Sequence, residues 1–231
     1  MAIFAISDLH LSNSVNKPMD IFGGQWENYW ERIKEDWSEK VGEDDIVLIA
    51  GDISWAMRLE EAVADLKEIA ALKGKKIIIR GNHEYWWSSY VKVKSILPES
   101  VYAIQNDALK LGGSVFCGTR GWTIPDQNSD EQDVKIYERE KLRLKMTLDA
   151  AVKLRTGGED LYVMTHYPPM NARYEDSGFT EILREYPVTA VIYGHLHGKD
   201  IRAEFLVEKD GIKYYLTSCD LVENKLVLVA K

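Results

Sequence analysis

The chain has 231 residues, of which 45% are hydrophobic and 29% are charged, and it carries a net charge of −8. This length is close to the upper size of one hydrophobic core, so we expect a single globular domain over residues 1–231, without low-complexity segments. The acidic balance argues against a nucleic-acid partner, because affinity for a phosphate backbone needs clustered Lys and Arg.

The first predicted element is a strand at residues 2–6, and Asp8-Leu9-His10 follows it directly. The apolar start is too short and uncharged for a signal peptide, and no run approaches the length of a membrane span. We therefore expect a cytoplasmic protein without a membrane partner. Residues 11–26 leave directly from His10, so this loop should overhang any site to which His10 belongs.

Short apolar strands alternate with amphipathic helices along most of the chain, which is the pattern of an α/β domain with a buried sheet. We predict helices at residues 27–40, 58–72, 86–97, 134–155 and 178–186, and strands at 45–50, 76–79, 101–104, 114–118, 160–165 and 189–193.

The tail has a different pattern, with predicted antiparallel strands at residues 202–208, 212–218 and 225–230. Turns at Asp210-Gly211 and Glu223-Asn224 would join them. Cys117 and Cys219 lie in apolar, strand-like segments, so we predict buried free thiols in a reducing compartment. Nothing in the sequence indicates an oligomeric state.

All five histidines lie just beyond predicted strands, at the edge of an α/β sheet where ligands bind. One histidine at a strand end would suggest a structural role, but five in such positions predict metal chemistry. Imidazole nitrogens and carboxylate or amide oxygens are donors that divalent transition metals accept. The segments are Asp8-Leu9-His10, Gly51-Asp52, Gly81-Asn82-His83-Glu84, His166-Tyr167-Pro168-Pro169 and Gly194-His195-Leu196-His197.

These motifs, in this order over residues 8–197, resemble those of the calcineurin-like metallophosphoesterases. The resemblance implies an α/β sandwich of two facing mixed sheets flanked by helices, with a dimetal site at strand carboxyl ends. Manganese, iron or zinc would suit the ligands. One ion would be held by Asp8, His10, Asp52 and His197, and the other by Asp52, Asn82, His166 and His195, so that Asp52 bridges both.

The resemblance also implies hydrolysis of a phosphoester by attack of a metal-bridging hydroxide. His83, which is not needed as a ligand, would be catalytic, by protonating the leaving oxygen or stabilising phosphoryl charge. In the protein serine/threonine phosphatases an Asp that orients this histidine follows the Gly-Asp motif, and here Trp55 stands in its place. The orientation of His83 is therefore open, and a protein-phosphatase assignment is weakened.

Substrate contacts are predicted from residues beside the motifs. Arg80 and Arg120 are candidate anion contacts, although a salt bridge is the simpler interpretation of Arg80. Trp55, Tyr85 and Trp122 could stack on a base or aromatic group, although aromatic residues beside a site often only pack its loops. We expect a small phosphodiester or nucleotide-like substrate. The alternatives are phosphomonoesterase or protein phosphatase activity, or a noncatalytic metal-binding scaffold, which the complete ligand set disfavours.

Overall fold

Eleven strands form two mixed sheets in the computed structural model, which describes residues 1–231. The strands of the first sheet are β1 (Ile3–Ile6), β2 (Ile46–Ile49), β3 (Lys75–Ile79), β4 (Val101–Ile104) and β11 (Val227–Ala230). They lie in the order β11-β1-β2-β3-β4, in which β1 to β4 are parallel and β11 is antiparallel to β1.

The second sheet consists of β5 (Ala108–Leu111), β6 (Ser114–Thr119), β7 (Leu161–Thr165), β8 (Ala190–Tyr193), β9 (Leu206–Lys209) and β10 (Ile212–Leu216). Its order is β5-β6-β7-β8-β10-β9, with four parallel central strands and an antiparallel strand at each edge. The predicted pair of mixed sheets is confirmed.

The two sheets pack face to face. The alternation of side chains along a strand explains how one short strand contributes to two hydrophobic cores. In β2, Ile46 and Leu48 face the second sheet, whereas Val47 and Ile49 face the helices, and all four residues are buried. Successive side chains of a strand point to opposite faces, so a strand covered on both sides is continuously apolar.

Five α-helices cover the outer faces of the sandwich. Buried residues of α1 (Tyr29–Lys40), α2 (Leu59–Ala70) and α3 (Tyr90–Ile96) belong to the core on the first sheet. Buried residues of α4 (Glu131–Leu154) and α5 (Gly178–Leu183) belong to the core on the second. No helix has the length and apolar character needed to cross a membrane.

One sequence expectation about strands is wrong, and one strand was not predicted. The strand predicted at residues 225–230 does not continue the tail hairpin, because β11 pairs with β1 in the other sheet. The edge strand β5 was not predicted, and its half-exposed residues explain why its apolar pattern is weak.

The predicted helix at residues 86–97 begins later, at Tyr90, because the Ser89 hydroxyl accepts a hydrogen bond from the Lys92 amide and caps it. Trp86 and Trp87 are instead buried in the preceding loop. Cys117 and Cys219 are buried free cysteines, as expected.

Candidate metal centre

The predicted ligands converge on one rim of the sandwich, where the loops after β1, β2, β3, β7 and β8 meet. The backbones of Asp8, His10, Asp52 and His195 have φ angles of 61°, 46°, 52° and 72°. Residues other than glycine rarely adopt this left-handed backbone conformation, and the energetic cost of doing so is typically tolerated at functional sites. The rim therefore holds these four residues in strained positions that place their side chains together.

The first group of candidate ligands consists of Asp8, His10, Asp52 and His197, whose ligand atoms all lie within 4.8 Å of one another. The Nε2 atoms of His10 and His197 are 3.4 Å apart, and His197 Nε2 lies 3.0 Å from Asp8 Oδ1. Nitrogen and oxygen donors that converge in this way form a suitable cage for a divalent cation.

The second group lies beside the first. Asn82 Oδ1 is 2.7 Å from His166 Nε2 and 2.9 Å from His195 Nδ1, and these two ring nitrogens are 3.3 Å apart. An amide oxygen and two imidazole nitrogens thus converge on one point, and these three residues are the ones that, with Asp52, were predicted to hold the second ion.

Asp52 lies between the two groups. Its Oδ2 is 3.7 Å from His10 Nε2 and 3.5 Å from His166 Nε2, and this buried oxygen has no hydrogen-bond partner. Its Oδ1 accepts the His83 amide at 2.9 Å. A buried carboxylate oxygen without a partner is costly, so the residues present fit a pair of cations that share Asp52.

The charges of the rim also favour cations. Burial, together with the charge of Asp8, raises the pKa of Asp52 to about 8. The pKa of Asp8 is well below its usual range because His197 outweighs the effect of burial. Contacts with Asp8 and Asp220 raise the pKa of His197 to about 10 despite burial. Two buried carboxylates in one site repel each other, and metal ions would relieve that repulsion.

Glu84 connects two ligand loops and was not predicted as a site residue. Its carboxylate accepts backbone N–H groups from Asp52, Ile53 and Gly81 at 2.8, 2.5 and 2.5 Å, and from Ser54 at 3.3 Å. Burial and Asp52 raise the pKa of Glu84 to about 7. The four donors nevertheless occupy every lone-pair position of the two oxygens, so the hydrogen bonding favours the carboxylate form.

Asp220, which follows β10 at the same rim, was also missed. Its Oδ1 lies 3.0 Å from His197 Nδ1, and its Oδ2 accepts the Gly198 amide at 2.9 Å. His166 has a comparable partner, because its Nδ1 lies 3.0 Å from the Ala50 carbonyl oxygen. When a metal ion displaces the proton on Nε2, these acceptors would keep the remaining ring proton on Nδ1 and direct the Nε2 lone pair into the site.

The sequence pattern that defines the calcineurin-like phosphoesterases matches residues 1–199. The chain belongs to this family. It is accordingly a metal-dependent phosphoester hydrolase, and the arrangement around Asp8, His10, Asp52 and His197 is its candidate metal site.

Similar proteins cover nearly the whole of this phosphoesterase. The gene 66 protein of Mycobacterium phage D29 is 25% identical over 202 residues, which are 87% of this chain and 81% of the phage protein. Phosphopantetheinyl hydrolase (PptH) from Mycobacterium tuberculosis has a TM-score of 0.58 at 16% identity, over 99% and 95% of the two chains. AQ665 from Aquifex aeolicus, of unknown function, has a TM-score of 0.51 at 15% identity, over 98% and 95%. The structural likenesses show a common fold.

His83 of the phosphoesterase is surrounded by aromatic rings. The Trp55 and Tyr85 ring centroids lie 4.6 Å and 6.1 Å from its own, and the His10 centroid lies at 5.6 Å. Its buried Nδ1 has no hydrogen-bond partner, and burial lowers its pKa. The orientation that the sequence left open is thus set by packing against Trp55.

The other predicted substrate residues lie in three places around the rim. Tyr85 is 54% exposed beside His83. Trp122 donates its indole N–H to Asp133 at 3.1 Å and packs on Tyr167, whose ring centroid is 4.1 Å from that of His195. Arg80 and Arg120 line a separate cavity near the rim rather than the metal site.

The loop at residues 11–26 borders the site, as the sequence suggested. Trp26 is buried and packs its ring edge-on against His10, with centroids 6.0 Å apart. Met19 Sδ accepts the Trp55 indole N–H at 3.1 Å. The loop therefore packs on both rings at this side of the metal site.

Proposed function

We propose that this phosphoesterase hydrolyses a small phosphodiester or nucleotide-like substrate with the help of two divalent ions. Asp8, His10, Asp52 and His197 would hold one, and Asp52, Asn82, His166 and His195 would hold the other. The position of Asp52 Oδ2 between the two groups, without a hydrogen-bond partner, carries this proposal. Manganese, iron and zinc all suit these donors.

Bound ions of this kind polarise the phosphoryl group and make a water acidic enough to act as a nucleophile near neutral pH. The protein contributes order: Glu84 fixes the backbone of the Asp52 and Asn82 loops, and Asp220 fixes the ring of His197. Because these supports are preformed, little reorganisation is needed when the substrate is bound.

His83 is the proposed catalytic residue. It follows Asn82 and lies within ring contact of His10, so its imidazole is close enough to the metal site to serve the leaving oxygen. There it would donate a proton or a hydrogen bond. Trp55 and Tyr85 flank this histidine, and we propose that they pack against an aromatic or sugar part of the substrate.

The aromatic surroundings of His83 also bear on the alternatives. An orienting carboxylate of the kind found in protein serine/threonine phosphatases has no counterpart next to this ring, where Trp55 lies instead. This supports a small substrate over a phosphorylated protein. The complete ligand set supports catalysis over a scaffold role.

The test uses metal-stripped protein resupplied with Mn²⁺ and two chromogenic esters, bis(p-nitrophenyl) phosphate and p-nitrophenyl phosphate. We expect manganese-dependent turnover, with the larger kcat/KM for the diester. Asp52→Asn should abolish turnover, whereas Asp44→Asn, an exposed control, should retain it.

Metal-independent turnover, or full activity of Asp52→Asn, would overturn the two-metal proposal. A preference for the monoester would favour a phosphomonoesterase. Absence of turnover with either ester, despite bound metal, would favour the scaffold.

A further inference from the structure

A cavity of about 220 Å³ next to the metal site is lined by an unusual group of charges. Its walls include Arg80, Arg120, Arg139 and Arg143, which we call the arginine pocket, and the single carboxylate of Glu140. These side chains leave a formal charge of +3 in the pocket, on a chain whose net charge is −8. Like charges at close range repel each other, so four arginines around one cavity are unfavourable unless an opposite charge offsets them.

Protein contacts within the pocket do not neutralise these arginines. Glu140 is fully buried and binds Arg143 at 2.5 Å with one oxygen, and its other oxygen accepts the Thr119 hydroxyl at 2.9 Å. The buried Nε atoms of Arg80 and Arg120 have no hydrogen-bond partner. A buried guanidinium nitrogen without an acceptor is costly, so these two arginines are suited to bind an acceptor from outside the protein.

A purely structural role accounts for only part of the pocket. The Arg120 guanidinium carbon lies 4.6 Å from the Trp122 ring centroid, a cation–π contact that stabilises this one residue. Burial lowers the pKa of Arg120, and the charges of Arg80 and Arg143 lower it further. Arginine nevertheless stays protonated in proteins, so the pocket keeps its excess positive charge.

The pocket lies near the metal site, because two of its arginines are close to candidate ligands along the backbone. Arg80 is separated from Asn82 by one residue, which places their Cα atoms within about 7 Å of each other. The Arg120 carbonyl accepts the amides of His166 and Tyr167 at 2.9 and 3.0 Å. Two residues of the pocket thus lie next to candidate metal ligands along the backbone, which places the pocket beside the metal site.

We propose that the arginine pocket binds a second phosphate group of the substrate, distinct from the phosphoester that is hydrolysed. Planar guanidinium groups match phosphate oxygens in geometry and charge. This inference rests on the proposed function and narrows it: the substrate would be a small phosphoester with an additional terminal phosphate.

The first test measures binding without catalysis. Metal-stripped protein is titrated with inorganic pyrophosphate by calorimetry, so that binding to metal ions cannot contribute. We expect the dissociation constant to rise roughly tenfold in Arg120→Gln and in Arg139→Gln. Arg139 is exposed at the pocket mouth, so its replacement should not affect folding. Lys145→Gln removes the same charge from an exposed position of α4 outside the pocket, and should bind like the wild type.

The second test compares two substrates of the manganese-loaded enzyme. Both are p-nitrophenyl esters of thymidine 5′-monophosphate, and one of them carries a second phosphate on the 3′-hydroxyl. We expect wild type and Lys145→Gln to prefer the doubly phosphorylated ester by about tenfold in kcat/KM. In Arg139→Gln the ratio of the two kcat/KM values should fall toward one.

Absence of pyrophosphate binding, equal binding by Arg139→Gln and wild type, or no preference in the wild type would overturn the pocket proposal. None of these results would affect manganese-dependent turnover of bis(p-nitrophenyl) phosphate, by which the proposed hydrolysis is judged separately.

Discussion

The indole ring of Trp55 stacks on the imidazole of His10, with ring centroids 4.6 Å apart and an interplanar angle of 20°. The same indole ring also lies next to His83, with ring centroids 4.6 Å apart. Trp55 therefore fixes a candidate metal ligand and the candidate catalytic residue at once, where a protein phosphatase would use a carboxylate for the second task.

Replacing Trp55 with Ala should release both imidazoles. We expect kcat/KM with Mn²⁺ to fall by roughly 10–100-fold, with a weaker affinity for manganese, because residues that orient ligands have effects of this size. Trp55→Phe keeps a ring against His10 and should recover most of the loss. Steady-state kinetics and manganese titration measure the two effects, and wild-type values for Trp55→Ala in both would refute the positioning role.

Replacing Glu84 with Gln should destabilise the folded protein. The amide NH₂ would face backbone donors that now bind a carboxylate oxygen, so at least one ligand loop would lose its anchor. We expect the free energy of unfolding to fall by roughly 2–4 kcal/mol. Urea denaturation measures this, with Glu60→Gln on the exposed face of α2 as the control. A loss no larger than that of the control would contradict the prediction.

Replacing Asp220 with Asn should weaken metal binding by roughly 10–100-fold, with little change in stability. The amide can donate to His197 Nδ1, which would move the ring proton to Nε2 and point it at Asp8 instead of a lone pair. Manganese titration provides the measurement. Asp200→Asn changes an exposed carboxylate of the loop after His197 and should bind metal normally. Equal affinities in the two variants would show that Asp220 does not set the tautomer.

The sequence predicted that the candidate ligands lie together because their signal is local. Each follows an apolar strand, and donors at the carboxyl ends of neighbouring parallel strands have to meet at one edge of their sheet. Here the edges formed by β1 to β3 and by β7 and β8 lie side by side at the rim. The two facing sheets came from the family resemblance, since strand periodicity alone does not tell which strands share a sheet. For the same reason the expectation that residues 225–230 continue the tail hairpin was wrong: the strand is present, but it pairs with β1.

Glu84 and Asp220 were missed because their roles depend on contacts far apart in the sequence. Glu84 binds the Asp52 amide across 32 positions, and its side chain is not itself a ligand. Asp220 follows a strand end, as the ligands do, but no histidine accompanies it in the sequence. The arginine pocket was missed as a unit because Arg139 and Arg143 lie on α4, apart from the strand ends that carry Arg80 and Arg120.

Metal binding should stabilise the fold, because the site forms only when the strand ends are assembled. With free Mn²⁺ at a hundred times its dissociation constant, one site adds about 2.7 kcal/mol, which corresponds to a rise of about 5–10 °C in Tm for a chain of this size. Differential scanning calorimetry of metal-stripped protein with and without Mn²⁺ gives the shift. Asp52→Asn should show a much smaller rise, and an equal rise would mean that the ion binds elsewhere.

Lys76 provides a prediction about pH that does not depend on metal. It is fully buried in β3, and its Nζ donates to the carbonyls of Ala70, Leu72 and Gly74 at 3.2, 2.5 and 2.9 Å. The carbonyls lie at and beyond the carboxyl end of α2, where a cation is favourable. Lys76→Met would remove this donor from all three carbonyls, so we expect a loss of about 1–3 kcal/mol at pH 7.

That loss should grow as the pH rises above 8. Burial lowers the pKa of Lys76 from 10.5 to about 8, so below pH 8 the amine is protonated in both the folded and the unfolded chain, and the difference between wild type and Lys76→Met is constant. Between pH 8 and 10.5 the folded chain releases the proton and the unfolded chain keeps it. Unfolding then takes up a proton, so the stability of the wild type relative to the variant increases with pH, by at most about 1.4 kcal/mol per unit.

Urea denaturation of both proteins across this range measures the difference, with Lys75→Met, at the less buried neighbouring position, as the control. A difference that stays flat or shrinks above pH 8 would mean that the three carbonyls hold Lys76 in its charged form.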